Sequence, residues 1–219
     1  MILPFEEIYC LALTEDAKRY KNAKAELEKI GVENEIHWWW TCKKPIITNI
    51  ANNIQSLHGK WYVLNYQKNK YLYTAAFDCF LNHYSIIKTA YNRGVNSILV
   101  MEDDINFIDD IDCIKYVFDH IPEDYDIIKF YNLHDCMYVS EVTIENMEWI
   151  VDYARTASTE MYAMNRKGMK TFIDEIESGN EPQVVDAYFD STIYKCKQYS
   201  LNGRIIKTDD YKNNSNILN

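Results

Sequence analysis

Three consecutive carboxylates, Glu102-Asp103-Asp104, follow directly on the apolar run Ser97-Ile98-Leu99-Val100-Met101. Like charges crowded at the edge of a core raise one another's pKa, and a bound cation relieves the repulsion. In an extended chain side chains alternate, so Glu102 and Asp104 are expected on one side and Asp103 on the other. Two hard oxygens on one side suit Mg2+ or Mn2+, ions that take one or two protein carboxylates and complete their shell with phosphate and water. Such an ion neutralises charge on a departing diphosphate. The plainer reading of the same residues is a solvated turn after a strand, capping the next helix.

A second acidic pair, Asp186 and Asp190, lies four residues apart in the apolar segment 184–190. In a helix the two share a face. Either is a candidate base for taking the proton of an acceptor hydroxyl, although a helix cap or a surface acid has the same spacing. The five histidines include no HExxH pair, and a lone histidine is more often structural than a ligand. The six cysteines form no CxxC pair and show no zinc-ligand spacing with a histidine, so they read as reduced, mostly buried thiols. Trp38-Trp39-Trp40 offers rings for stacking on a base or sugar, but such rings more often serve core packing. The six glycines stand singly, without a GxGxxG or GxxxxGK[ST] run, and no serine sits in a GxSxG turn. A nucleotide would therefore be held by strand-end loops, an arginine and the metal.

These side chains need a scaffold. The apolar run 8–13 reads as a strand buried on both faces. Thr14 is a candidate N-cap, and Ala17, Tyr20, Ala23, Leu27 and Ile30 then recur at helical spacing until Gly31. A second strand is expected at 35–40. The stretch 46–73 has no sustained period and reads as a lid or variable loop. A helix follows at 74–93, ended by Gly94, and leads into the strand that carries the acidic triplet. Further strands are expected at 127–131 and 161–164, and a helix at 167–176. Alternating strands and helices predict an α/β fold with a mainly parallel central sheet flanked by helices. Ligands of such sheets bind beyond the carboxyl ends of the strands, where the triplet lies.

The chain has 219 residues, 47% hydrophobic and 14% aromatic, enough for one well-cored domain, assigned to 1–210, with a mobile polar tail at 211–219. A formal net charge of −10 disfavours nucleic acid as a partner, because phosphate backbones are bound by clustered Lys and Arg. No transmembrane segment is expected, since no apolar run reaches the roughly 18–20 residues a membrane helix needs. The opening residues, with Glu6 and Glu7 in place of an apolar core, do not read as a signal peptide. A cytoplasmic protein is expected.

The order and spacing of several weak motifs give a more specific reading. Leu11-Ala12-Leu13 with Arg19 corresponds to an INL-type strand end followed by an arginine. Cys79-Phe80-Leu81-Asn82-His83 corresponds to a GC-x-x-SH-type helix, and Met101-Glu102-Asp103-Asp104 to an LEDD-type motif. Asp124-Tyr125-Asp126-Ile127-Ile128-Lys129, the segment 162–168 from Tyr162 to Gly168, and Val184-Val185-Asp186 follow in order. Over roughly residues 8–186 the chain resembles glycosyltransferase family 25, the group of lipopolysaccharide and collagen galactosyltransferases. It departs from the family pattern at Ala12 (usually Asn), Asp78 (usually Gly) and Asn82 (usually Ser).

The resemblance implies a GT-A-like single domain, a UDP-sugar donor carrying galactose or glucose, and inversion at the anomeric carbon. It implies a glycan or protein-hydroxyl acceptor, such as a collagen-like chain, and Mn2+ or Mg2+ as cofactor. Glu102 and Asp104 would lie on or near the metal with Asp103 supporting. Leu11, Ala12, Leu13, Arg19 and His83 would border the nucleotide sugar. Asp186 would be the base or a further ligand, with Asp190 the alternative base. The competing readings are a two-metal enzyme acting on phosphate esters and a non-catalytic domain that binds a glycan or nucleotide. The abundance of Ile, Asn, Lys and Tyr fits an AT-rich genome, bacterial or of a large DNA virus. In the viral case the host cytoplasm or the virion is the expected location.

Overall fold

The computed structural model describes residues 1–12, 18–32, 36–40, 70–130, 141–151, 159–178, 185–192 and 194–208; at 70–78 and at several later helix and strand positions it describes the backbone alone. The chain opens with β1 (Glu7–Ala12), α1 (Lys18–Ile30) and β2 (Ile36–Trp40). Next come α2 (Lys70–Arg93), β3 (Ser97–Glu102), β4 (Ile105–Phe107), α3 (Ile111–Asp119) and β5 (Ile127–Lys129). A short 3-10 turn (Ile144–Asn146) precedes β6 (Trp149–Val151), β7 (Met161–Asn165), α4 (Arg166–Glu177), α5 (Val185–Thr192), β8 (Gln198–Leu201) and β9 (Ile206–Thr208).

The main sheet runs β2-β1-β3-β7-β5-β8-β6, and β4 pairs with β9 in a separate ribbon. The expected α/β architecture is present, but the sheet is mixed rather than mainly parallel. β1 is parallel to β2 and β3, and β5 to β8. β7 is antiparallel to β3 and β5, and β6 to β8. The physical reason is that a strand buried on both faces has the same apolar composition whichever way it runs. Met161-Tyr162-Ala163-Met164 announces a central strand without announcing its direction.

Alternation along the strands builds two cores. Ile8, Cys10, Leu99, Met101, Met161 and Ala163 face one side, where Ala23, Leu27 and Ile30 of α1 and Ile114, Val117 and Phe118 of α3 cover them. Tyr9, Leu11, Ile98, Val100, Tyr162 and Met164 face the other, under Leu81 and Ile87 of α2, Phe172 and Ile176 of α4, and Phe189 of α5. Each fully buried side chain of this size contributes about 1.5–3 kcal/mol of transfer free energy, so the three-layer sandwich holds the sheet firmly.

Two helix stops come from glycine. Gly31 (φ 69°) and Gly94 (φ 87°) take the left-handed conformation. Each closes a paired end, with Gly31 N–H on Glu28 O and Val32 N–H on Leu27 O, then Gly94 N–H on Tyr91 O and Val95 N–H on Ala90 O. α2 begins at Lys70, earlier than expected, because nothing in 70–73 breaks a helix. The rest of the expected lid, 46–69, lies outside the described residues, as do Thr14, Tyr131, Gly179 and the tail 211–219.

Candidate active site at the carboxyl end of β3

The parallel half of the sheet brings the ends of β1, β2 and β3 together. Leu11 is in register with Glu102, and Ala12 with Trp40. Leu11 thus stands beside the first residue of the acidic triplet and Ala12 one position further along β1, while Leu13 lies outside the described residues.

The strand stops at Glu102, and Asp103 and Asp104 form a turn into β4. The expected alternation therefore fails after one residue. Both aspartates reach the same partner, Arg19, with Nε 3.0 Å from Asp103 Oδ1 and Nη2 2.5 Å from Asp104 Oδ2. Arg19 is the first of three polar residues spaced along one side of α1. Asn22 donates to Asn106 Oδ1 (2.8 Å), and Glu26, itself buried, accepts the Phe107 backbone N–H (2.9 Å). The helix thus grips the acidic turn and β4 at three places.

Glu102 faces a different set of partners. Its Oε1 accepts the Thr159 hydroxyl (2.8 Å) and lies 3.3 Å from His83 Nε2. The other ring nitrogen of His83 is hydrogen-bonded to the Tyr162 hydroxyl at 2.9 Å. His83 has no exposed surface, and its contact with the acidic triplet is with Glu102. Burial pushes the Glu102 carboxyl up, but His83, Thr159 and Arg19 outweigh it and hold it below the ordinary carboxylate range.

Asp104 goes the other way. Burial raises it to about 7, with the Glu102 charge adding, Arg19 opposing and Asp103 adding again. Its Oδ1 is buried without a hydrogen-bond partner. A buried carboxylate oxygen without a partner, beside two further acids, has the hard-oxygen chemistry that Mn2+ or Mg2+ takes.

Asp186 and Asp190 stand on α5, so the helical reading of that segment holds; their side chains lie outside the described residues. α5 packs beside the site, with the Phe189 ring 4.8 Å from that of Tyr162. The three tryptophans of β2 are half-buried, and Tyr20 of α1 lies against Trp38 (4.5 Å) and Trp40 (5.2 Å). Packing accounts for them.

Thr159 escaped the sequence reading, and nothing in its spacing marks it; Tyr162 stands in the motif pattern, but nothing local marks it as the partner of His83. Cys79 also escaped it as a site residue, but its signal was present, since Cys79 and His83 stand four apart on a helix and share a face. The finding corrects the reading that no cysteine has a ligand spacing with histidine: Cys79, His83 and Glu102 bring ligand atoms within 4.8 Å of one another.

The family model described as glycosyltransferase family 25 (lipopolysaccharide biosynthesis protein) matches residues 5–189, most of the chain. The chain belongs to glycosyltransferase family 25. Among curated proteins none matches it. Several solved structures are similar to this family 25 chain, three of them as follows. One is a glycosyltransferase involved in glycosylation of the major capsid of PBCV-1, at 9% identity and TM-score 0.45, covering 86% of this chain and 74% of that one. Another is A197 from STIV, at 12% identity and TM-score 0.41, covering 91% and 82%. The third is the inositol-1-phosphate CTP transferase from T. maritima, at 11% identity and TM-score 0.43, covering 98% and 93%. Membership of a glycosyltransferase family points to transfer between a sugar donor and an acceptor. Among the described residues no helix of this family 25 chain is long and apolar enough to cross a membrane.

Proposed function

We propose that this chain is a metal-dependent, inverting hexosyltransferase with a GT-A-like fold. It moves galactose or glucose from a UDP-sugar to a hydroxyl of a glycan or of a protein such as a collagen-like chain. The observation that carries this reading is the turn after β3, where Asp104 keeps a buried oxygen without a partner and is raised to about 7 by burial and by its acidic neighbours. An oxygen of that kind is prepared for a cation, and the turn lies at strand ends, where α/β folds bind nucleotides.

Asp104 and Glu102 are the proposed ligands of Mn2+ or Mg2+, which supplies positive charge against the diphosphate leaving group. Arg19, which spans Asp103 and Asp104, is the proposed partner of a donor phosphate oxygen. Asp103 keeps Arg19 in that position. Leu11, Ala12 and Leu13 border the nucleotide at the end of β1. His83 and Thr159 hold Glu102 in one orientation.

Inversion is a single displacement. A base takes the proton of the acceptor hydroxyl while its oxygen bonds to the anomeric carbon from the face opposite UDP, and the bond to UDP breaks. Asp186 is the proposed base and Asp190 the alternative.

Calorimetric titration of UDP tests the reading, with Mn2+ and with EDTA, on the native chain and on Asp104→Ala. Binding is expected only with Mn2+ and is expected to vanish in the variant. UDP that gives no heat with Mn2+, or that binds equally well in EDTA, defeats the proposal.

A further inference from the structure

Behind the acidic turn lies a second group of donors of different chemistry. Cys79 and His83 project from adjacent turns of α2, and their ligand atoms converge with that of Glu102 within 4.8 Å. We propose that Cys79 Sγ, His83 Nε2 and Glu102 Oε1 bind a thiophilic divalent cation, Zn2+ by chemistry, with water in the fourth position. The site stands independently of the donor reading above, although it shares Glu102 with it.

Four observations support it. First, His83 Nε2 is fully buried and has no hydrogen-bond partner, because Glu102 Oε1 lies 3.3 Å away without the alignment of a hydrogen bond. Second, that spacing is the edge of a tetrahedron: two ligands about 2.05 Å from zinc stand roughly 3.3 Å apart. Third, the opposite ring nitrogen is held by the Tyr162 hydroxyl at 2.9 Å, the outer hydrogen bond that orients a metal-binding imidazole. In the tautomer that places Nδ1–H on Tyr162, the Nε2 lone pair faces Glu102, and a cation between them would take the place of the proton by which His83 steadies that carboxylate in the metal-free chain. Fourth, Cys79 is half-buried and the Glu102 side chain is 24% exposed, so the site has a way in from solvent.

The donor set separates this site from the all-oxygen one. Thiolate and imidazole select zinc over magnesium or manganese, whereas Asp104 and its neighbours favour the harder ions. On binding, the Cys79 S–H bond breaks, the proton leaves to solvent and a sulfur–metal bond forms, with no change in oxidation state. The cation would fasten α2 to the end of β3, and with it the base of the acidic turn.

Cobalt(II) is the probe. Titrated into the full-length metal-free chain, Co2+ is expected to give an intense near-ultraviolet thiolate-to-cobalt band that saturates at one equivalent and disappears when Zn2+ is added. Cys79→Ser should abolish the band and Asp104→Asn should leave it. A native chain without the band, or a band that survives Cys79→Ser, overturns the site. A second measurement needs no variant: Zn2+ should slow alkylation of Cys79, followed by peptide mass spectrometry, by about tenfold or more, because the coordinated thiolate is no longer a free nucleophile. Unchanged alkylation overturns the site as well. Neither readout involves UDP, so a silent UDP titration would defeat the transferase reading and leave this one standing, and the reverse holds too.

Discussion

Two acidic places lie at opposite ends of the sheet, and they are built on opposite principles. At the amino end of β5, Asp126 is buried and saturated. Its Oδ2 accepts the Lys197 backbone N–H (2.8 Å) and the Lys167 ammonium (2.5 Å), and its Oδ1 accepts the Asn165 amide (3.2 Å). At the carboxyl end of β3, Asp104 has one oxygen on Arg19 and the other without a partner. Both segments belong to the motif pattern that resembles the family. A buried acid with both oxygens engaged holds the chain together, whereas one with an orphaned oxygen and a raised pKa is suited to a ligand.

The largest effect expected from this contrast falls on the saturated end. Gly168, in the first turn of α4, lies so close to Asp126 that a Cβ there would stand 2.1 Å from the Asp126 carbonyl oxygen and 2.8 Å from its carbon. Both are backbone atoms and cannot rotate away. Gly168→Ala should therefore cost about 3 kcal/mol of unfolding free energy, at the upper end of overpacking effects, as measured by urea denaturation. A loss under about 0.5 kcal/mol, within the range of an ordinary surface substitution, would show that α4 is not held by this contact.

A paired substitution sharpens the comparison, because the two ends should respond with opposite sign. Asp126→Asn turns an amide group toward at least one of the donors that Asp126 now accepts, and should destabilise by about 2 kcal/mol. Asp104→Asn removes a charge that burial and like neighbours disfavour. At pH 8 it should stabilise the metal-free chain by about 1–2 kcal/mol, seen as a melting temperature raised by a few degrees. If both variants lose stability equally, the acidic turn is as structural as Asp126.

The same contrast shows what the sequence could and could not disclose. The cores of β1, β3 and β7 and the stops at Gly31 and Gly94 were legible, since burial on both faces and a left-handed cap leave local marks. So was the acidic triplet, as three carboxylates after an apolar strand. α3 was passed over although its marks are there: Asp110 caps Cys113 N–H at 2.9 Å, and Cys113, Ile114, Val117 and Phe118 follow at helical spacing. The direction of β7, the turn at Asp103 and the pairing of β4 with β9 are set by long-range contacts, and short, direction-neutral segments carry no trace of them. Thr159 reaches Glu102 across 57 positions, a relation that no local pattern encodes. Motif membership alone did not separate Gly168, whose role is steric, from Asp104.

The smallest predicted effect concerns pH and bears on Asp104 alone. Its folded pKa of about 7 lies above the ordinary aspartate value, so between roughly pH 4 and 7 the folded chain holds a proton that the unfolded chain has released. Stability from this group therefore falls as pH rises through that window, and the advantage of Asp104→Asn should fade as pH is lowered from 7 toward 4, where the unfolded carboxyl is protonated as well. Mn2+ must displace the same proton. Its affinity should tighten by about tenfold per pH unit below 7 and level off above, with about one proton released per ion at pH 6. Calorimetry in buffers of different ionisation enthalpy measures both quantities. Arg19 opposes the upward shift, so Arg19→Met should move the break in the Mn2+ profile to higher pH. A profile flat from pH 5 to 8 would mean that Asp104 is not the atom the cation needs, and would leave Glu102 to carry it.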